Sequence, residues 1–304
     1  MNGEAIAVAV PSADKEVELA AARRPWFKAL GKWVRDQPLG AVSAAVVIFT
    51  IFIAVFAPQL APFDPVDNHY DAMMTAPNAT YWFGTDQFGR DVLSRVMWGA
   101  RTALFIGFTS AILGATLGLV LGVASAYFGG WFDLLLQRAM DVFLAFPLII
   151  LALVVVSVFG TGPENVIIAI TIPFVPRCAR VVRAGALAIR EMPYIDAARA
   201  LGYGHVRIIL RHMVPNCMAA YLIMLTIFLG QAILIEAALS YLGLGVQEPV
   251  AAWGLMLQGG AEEYAESAIW IAIFPGFAIT LSVLAFNLFG DAVRDTLDPK
   301  LRAR

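Results

Sequence analysis

Six stretches of this 304-residue sequence are long and apolar enough to cross a lipid bilayer. They constrain the fold more than any other feature. A spanning helix needs roughly 20 apolar residues, because the hydrocarbon core is about 30 Å thick and each residue rises about 1.5 Å. The stretches are Leu39–Leu60, Thr102–Tyr127, Leu134–Phe159, Val166–Val182, Ala219–Leu244 and Ala268–Leu288. The fourth is interrupted by Pro173 and Pro176 and followed by arginines. Composition agrees: 60% of residues are hydrophobic and 14% charged, against about 45–50% and about 25% in soluble domains. The expectation is an all-α integral membrane protein with six transmembrane helices.

Basic residues fix the expected orientation. Arg and Lys cost about 2.5–3.5 kcal/mol at mid-membrane and concentrate in cytoplasmic loops. With both termini cytoplasmic, only Arg90, Arg95 and Arg101 of the 21 basic residues fall outside, and the other 18 fall inside. The opposite orientation inverts that bias. The outer loops, Ala61–Arg101, Gly160–Asn165 and Gly245–Ser267, hold ten acids: a solvated surface, or a place for a soluble partner. Ahead of the first span, Trp26, Phe27, Leu30, Trp33 and Val34 recur at helical spacing beside Lys28, Lys32 and Arg35. That pattern suits an interfacial helix held by membrane lipids. The organisation expected is a cytoplasmic segment over residues 1–38, the first span and its outer loop over 39–101, a five-helix core over 102–290, and a cytoplasmic tail over 291–304.

Several chemistries find no support. Gly31–Trp33 reads GKW, without the upstream Gly and following Ser/Thr of a phosphate-binding loop. Cys178 and Cys217 form neither a disulfide framework nor a CxxC site, and His69, His205 and His212 do not cluster. The sequence therefore points to no cofactor or metal site, no catalytic triad and no nucleic-acid partner.

Within the second stretch, Ser110, Gly114, Gly118 and Gly122 recur every four residues. In lipid such a ridge lets two helices approach closely, and helix packing is its natural role. Arg138 and Asp141 are three apart and can pair on one helix face. Glu236 lies well inside the fifth stretch. A carboxylate there faces protein, a partner subunit or a watery path, which leaves it as a pathway or gate candidate or as a buried structural hydrogen bond. An ion-driven carrier working alone would commonly show an inverted repeat, and none is evident between the halves. A selectivity filter, which a channel would need, is also not visible.

The polar segment "DAARALGYGHVRIILRHMVPN" at Asp196–Asn216 separates two apolar runs. Pro193 suits a first helical turn, and Gly202 and Gly204 permit a sharp change of direction. Val206, Ile209, Leu210 and Met213 follow the i, i+3, i+4, i+7 pattern, Arg207 and Arg211 line another face, and Pro215 is expected to end the second helix. The product is an elbow of two short helices, fit to sit in a groove of a partner protein or to rest on anionic headgroups.

This segment resembles the EAA loop of permease subunits in ABC importers. The pattern there is E-A-A, three residues, G, and about nine residues later I-x-L-P. Here it reads Asp196-Ala197-Ala198, then Gly202, and ends Met213-Val214-Pro215. Asp196 replaces the usual Glu, keeping the charge on a shorter arm. Four further stretches are similar to the dipeptide, oligopeptide and nickel group: "FGTDQFGRDVLSRVMWGAR" at Phe83–Arg101, "GGWFDLLLQRAMDVFLAFP" at Gly129–Pro147, "EAALSYLGLGVQEPVAAWG" at Glu236–Gly254 and "NLFGDAVRDTLDPKLR" at Asn287–Arg302. The likeness is to the second permease subunit, which carries an extra N-terminal span. It implies a type I importer permease fold in the bacterial inner membrane. It also implies a second related permease, two ATPase subunits and a periplasmic binding protein as partners, with ATP and Mg held only by the ATPases. The loop at 191–216 would couple to an ATPase through Asp196, Ala197, Ala198, Gly202, Arg207, Arg211 and Pro215. The fifth span would face the pathway.

Overall fold

The computed structural model describes residue 31, residues 33–262, residue 264 and residues 266–297. Among these residues the chain is built of helices, with one isolated bridge between Thr85 and Asp91. In order they are α1 (Pro38–Leu60), a turn of 3-10 helix at Tyr70–Ala72, α2 (Val92–Phe128), α3 (Gly130–Leu144), α4 (Leu148–Phe159), α5 (Pro163–Arg190), α6 (Pro193–Ala200), α7 (His205–Ile208), α8 (Val214–Tyr241), α9 (Trp253–Glu262) and α10 (Trp270–Leu297). A π turn at Ile209–Met213 joins α7 to α8.

Helices α2 and α5 make the central pair, and α8 packs against both and against α10. Ser110, Gly114, Gly118 and Gly122 all lie buried on α2. A Cβ at Gly114 would stand 2.6 Å from the Cβ of Phe174. One at Gly118 would collide with Cys178, and one at Gly122 would stand 2.6 Å from the carbonyl of Ala179. The glycine ridge thus faces α5 along two full turns, at a separation no larger residue allows. Helix α1 lies on the outside of this core, against α10 and α2. It buries one stripe of mostly small residues, Gly40, Ser43, Val47, Thr50, Ala54 and Ala57, and leaves the rest of its surface apolar and exposed, as lipid requires.

Five of the six expected spans are single helices. The second begins ten residues before Thr102, because the Asp91 carboxylate accepts from the Ser94 amide and starts the helix within the preceding loop. The third differs from expectation. Leu134–Phe159 is not one helix but a pair, α3 and α4, bent by 91°. Pro147 has no amide hydrogen to donate and disfavours helical backbone at Phe146, so the apolar run breaks there. The end of the elbow also differs. Pro215 does not stop a helix; it occupies the first turn of α8, where its missing N–H is no loss. The π turn ahead of it keeps His205–Tyr241 continuous over 37 residues. The interfacial helix expected before Pro38 lies largely outside the described residues, as does the end of the tail. Trp33 is described, and its indole N–H donates to Thr296 Oγ1 at 3.0 Å.

Candidate functional site

The segment Asp196–Pro215 forms an elbow at one end of the bundle. Ile195 and Ala198 are buried and seat α6 on the bundle, while Asp196 and Ala197 point away from it. Asp196 accepts from Arg199 Nη1 at 3.0 Å along its own helix. The helix closes in a Schellman turn: the amide of Tyr203 reaches the Ala198 carbonyl at 3.1 Å and that of Gly202 reaches Arg199 at 2.9 Å. Gly202 has φ +76°, a conformation that strains other residues. A Cβ there would meet nothing within 4 Å, so the backbone angle, and not crowding inside this chain, asks for glycine.

Beyond the turn, Ile208 and Met213 are buried. Val206 and Leu210, expected on the same apolar face as Met213, are instead 70% and 62% exposed. The π turn adds one residue to a turn and brings Met213 into line with buried Ile208, away from them. Val206 and Leu210 therefore face outward, interleaved with Arg207 and Arg211, and Leu201 before the turn is exposed as well. Val206, Leu210, both arginines and Pro215 line an open groove of about 780 Å³. Arg207 stacks its guanidinium 4.1 Å over the Tyr203 ring. The elbow is tied to α2 by a hydrogen bond between the Tyr127 hydroxyl and His205 Nδ1, 2.7 Å long. That tie was not read from the sequence, since the two residues are 78 apart.

Charges beside the elbow are also paired between elements. Asp133 on α3 takes both Nε and Nη2 of Arg183 on α5, and accepts in addition from Ser125 on α2. Asp141 meets Arg138 at 3.5 Å and Arg180 at 2.5 Å. The Arg138–Asp141 pair expected from spacing is present, with Arg180 as a third member.

At the opposite end of the bundle lies a charge cluster that sequence reasoning missed. Asp86 accepts from the Phe88 and Arg90 amides through Oδ1, and from Arg90 Nε at 2.7 Å through Oδ2. Arg90 donates its Nη1 to Glu248 at 2.6 Å, and Arg95 donates to the Pro65 carbonyl and to Glu248. Asp86, Arg90 and Arg95 are all buried. This clasp fastens the α1–α2 loop to the α8–α9 loop. Burial alone would raise the pKa of Glu248, but the hydrogen bond from Arg90 and the Arg95 charge outweigh it and hold the carboxyl below its ordinary value. Burial alone would lower that of Arg90, and Glu248 with Asp86 reverses this and raises it. The signal available in the sequence was the RD-x-x-x-R spacing in an otherwise acidic loop; its partner Glu248 is 158 residues away from Arg90.

Glu236 sits near the clasp end of α8 and is fully buried. Its Oε1 accepts from Ser240 Oγ at 2.8 Å, and Ser240 Oγ in turn accepts from the Val246 amide. Its Oε2 has no hydrogen-bond partner. The carboxyl thus braces the turn that follows α8. Among the described residues no group of three or more His, Cys, Asp or Glu side chains is placed to hold a metal ion.

Comparison with known proteins places this geometry. Residues 114–303 match the model of the binding-protein-dependent transport system inner membrane component. Residues 33–77 match the N-terminal transmembrane domain of oligopeptide transport permease C. A putative peptide transport system permease protein of Brucella suis biovar 1 is 45% identical over 261 residues, covering 86% of this chain and 88% of that one. The dipeptide transport system permease protein DppC of Alkalihalophilus pseudofirmus is 41% identical, covering 92% and 91%. The glutathione transport system permease protein GsiD of Escherichia coli O6:K15:H31 is 42% identical, covering 92% of each. Among solved structures, the inward-facing MetNI methionine ABC transporter superposes with a TM-score of 0.54 at 20% identity, covering 68% of this chain and 97% of that one. This last likeness speaks to the fold alone.

Proposed function

The chain belongs to the binding-protein-dependent transport system inner membrane components, and from that premise we propose that it moves di- or oligopeptides inward by coupling its elbow to an ATPase. As a family member it is a multi-pass permease subunit of an ABC importer in the bacterial inner membrane, and ATP hydrolysis belongs to a separate partner. The finer reading is ours. Both termini and the elbow lie in the cytoplasm, and the clasp lies outside. Residues 1–38, 39–101, 102–290 and 291–304 act as cytoplasmic segment, first span with its loop, permease core and tail. The working complex holds a second related permease, two ATPases binding ATP and Mg, and a periplasmic binding protein that delivers the solute.

One observation carries the reading: Leu201, Val206 and Leu210 stand exposed beside Arg207 and Arg211 on a firmly seated elbow. Exposed apolar groups in water call for a partner, and the interleaved arginines suit a protein cleft with acidic walls. Asp196, Ala197, Ala198, Gly202, Arg207, Arg211 and Pro215 form the coupling site. Ala198 serves by fixing α6 to the bundle, and Gly202 by turning the chain with no side chain toward the ATPase. Closure of the ATPases on ATP pushes the elbow, and hydrolysis resets it. Gly114, Gly118 and Gly122 keep α2 and α5 moving as one body. Glu236 is the gate candidate, released from Ser240 when the turn beyond α8 opens.

The peptide substrate rests on the relatives whose names carry peptide and dipeptide transport; nickel, glutathione and opines are the alternative solutes, and one relative's name carries glutathione transport. The test is reconstitution in liposomes with the ATPases, second permease and binding protein, reading uptake of a labelled dipeptide. Uptake should require ATP and binding protein together. Uptake by this chain alone on an ion gradient would establish a secondary carrier instead.

A further inference from the structure

We propose that the α3–α4 corner, Ala145–Pro147, is a hydrated wall of the translocation pathway, with Arg138, Asp141 and Arg180 as its charged rim. This deepens the transport reading above and rests on it.

Length comes first. Helix α4 has 12 residues, which is about 18 Å of rise, whereas the hydrocarbon core is about 30 Å thick. Its far end, Phe159, leads through a short turn into the start of α5, and the Phe159 carbonyl accepts from Asn165. The corner at its near end therefore lies inside the thickness of the membrane, some 10 Å short of the other face.

Backbone chemistry comes next. Every helix end leaves amides or carbonyls without a helical partner. Here two ends meet: the last turn of α3 and the first turn of α4. The N-cap of α4 is Pro147, which supplies no side-chain cap. Hydrocarbon cannot satisfy such groups, and irregular backbone at membrane depth is tolerated only when covered by protein or facing water. In this chain Ala145, Phe146 and Pro147 are exposed, so their cover is not internal.

Charge decides between the two covers. Asp141 lies one turn before the corner, its carbonyl accepting from the Ala145 amide, and its carboxylate meets Arg138 and Arg180; the side chains of Arg138, Asp141 and Arg180 are 75%, 47% and 52% exposed. A dry protein interface would strip water from two arginines sharing one carboxylate and leave an uncompensated positive charge, a costly arrangement. Water satisfies both the arginines and the free backbone groups. The corner thus fits a polar solute, a peptide with its own backbone amides, whose passage needs hydrogen-bonding walls.

Hydrogen–deuterium exchange on the unmodified complex in nanodiscs reads this directly. The amides of Leu148, Ile149 and Ile150 should exchange within seconds, and those of Ile48–Ile51 in α1 should stay protected. Protection of both sets overturns the proposal. Cysteine accessibility gives a second reading, with the parent chain as background since Cys178 and Cys217 are buried. Ala145→Cys and Phe146→Cys should react with a hydrophilic maleimide, while Ile48→Cys should react only with a lipophilic one. A corner that behaves like Ile48→Cys faces lipid, and one silent to both reagents is covered by protein; either result, in variants that still co-purify with the ATPases, overturns it. Dipeptide uptake is scored separately on the wild-type complex. Uptake with a protected corner removes only this inference, and fast exchange without uptake removes the peptide reading.

Discussion

The two ends of the bundle handle charge and grease in opposite ways. At the clasp end, Asp86, Arg90 and Arg95 are buried and bonded to one another and to Glu248. At the elbow end, Arg207 and Arg211 stand in the open beside exposed Leu201, Val206 and Leu210. One end pairs its charges with one another inside the chain; the other leaves apolar and charged groups facing outward. The difference teaches that the clasp is a fastening within this chain, while the elbow is half of a contact.

That comparison breaks or sharpens under substitution. Arg90→Ala should have the largest effect, because it removes the closest charge partner of buried Asp86, leaving Arg95 at 3.6 Å, and breaks the bond to Glu248. Removing one member of such a pair costs about 3–5 kcal/mol, so the yield of folded protein in detergent should fall sharply. A wild-type melting profile would mean that the clasp fastens nothing. Gly118→Leu should follow, driving a side chain into Cys178. Overpacking of this kind costs roughly 1–3 kcal/mol, read as lower thermal stability and impaired assembly; a normally assembled, active variant would remove the packing role. Gly202→Asp should cost about 1–2 kcal/mol from its backbone angle alone and leave the protein foldable, yet lower peptide uptake several-fold. Full uptake by that variant would count against the coupling role. Leu210→Glu should change the melting temperature least, as an exposed substitution within about 0.5 kcal/mol, and still weaken ATPase co-purification.

Acid should separate the ends as well. The folded pKa of Glu248 lies below its ordinary value, about 4.3 in the unfolded chain. Its contribution is therefore present above that value and lost as pH falls through the lower folded one. Between pH 8 and pH 5 the clasp should hold unchanged, and thermal stability should fall only in stronger acid. A loss near pH 6 would point to some group other than Glu248.

Much of the fold was legible because apolar length is a physical requirement of the bilayer. The spans and the glycine ridge follow from it. The elbow was legible as two helices around Gly202, but its faces were not, since a π turn breaks the 3.6-residue period on which such readings depend. Pro215 looked like a stop and is a start for the same reason: the turn before it absorbs the missing hydrogen bond. Pro147 permits a kink from sequence alone, but the apolar run around it is long enough to pass for one span, and only the structure gives the 91° bend. The clasp was illegible because its chemistry depends on Arg90 meeting Glu248 across 158 residues.

The unbroken helix from His205 to Tyr241 has one more consequence. At 37 residues it is a rod about 55 Å long, and it carries the elbow at one end and Glu236 near the other. A rod of this kind works like a camshaft: what happens at the far end depends on the angle at which the two ends are set. The π turn at Ile209–Met213 is where that angle is set. One alanine inserted into the regular helix between that turn and Glu236 would turn the elbow by about 100° against the bundle. Every native side chain would survive the insertion, and the two ends would be out of phase.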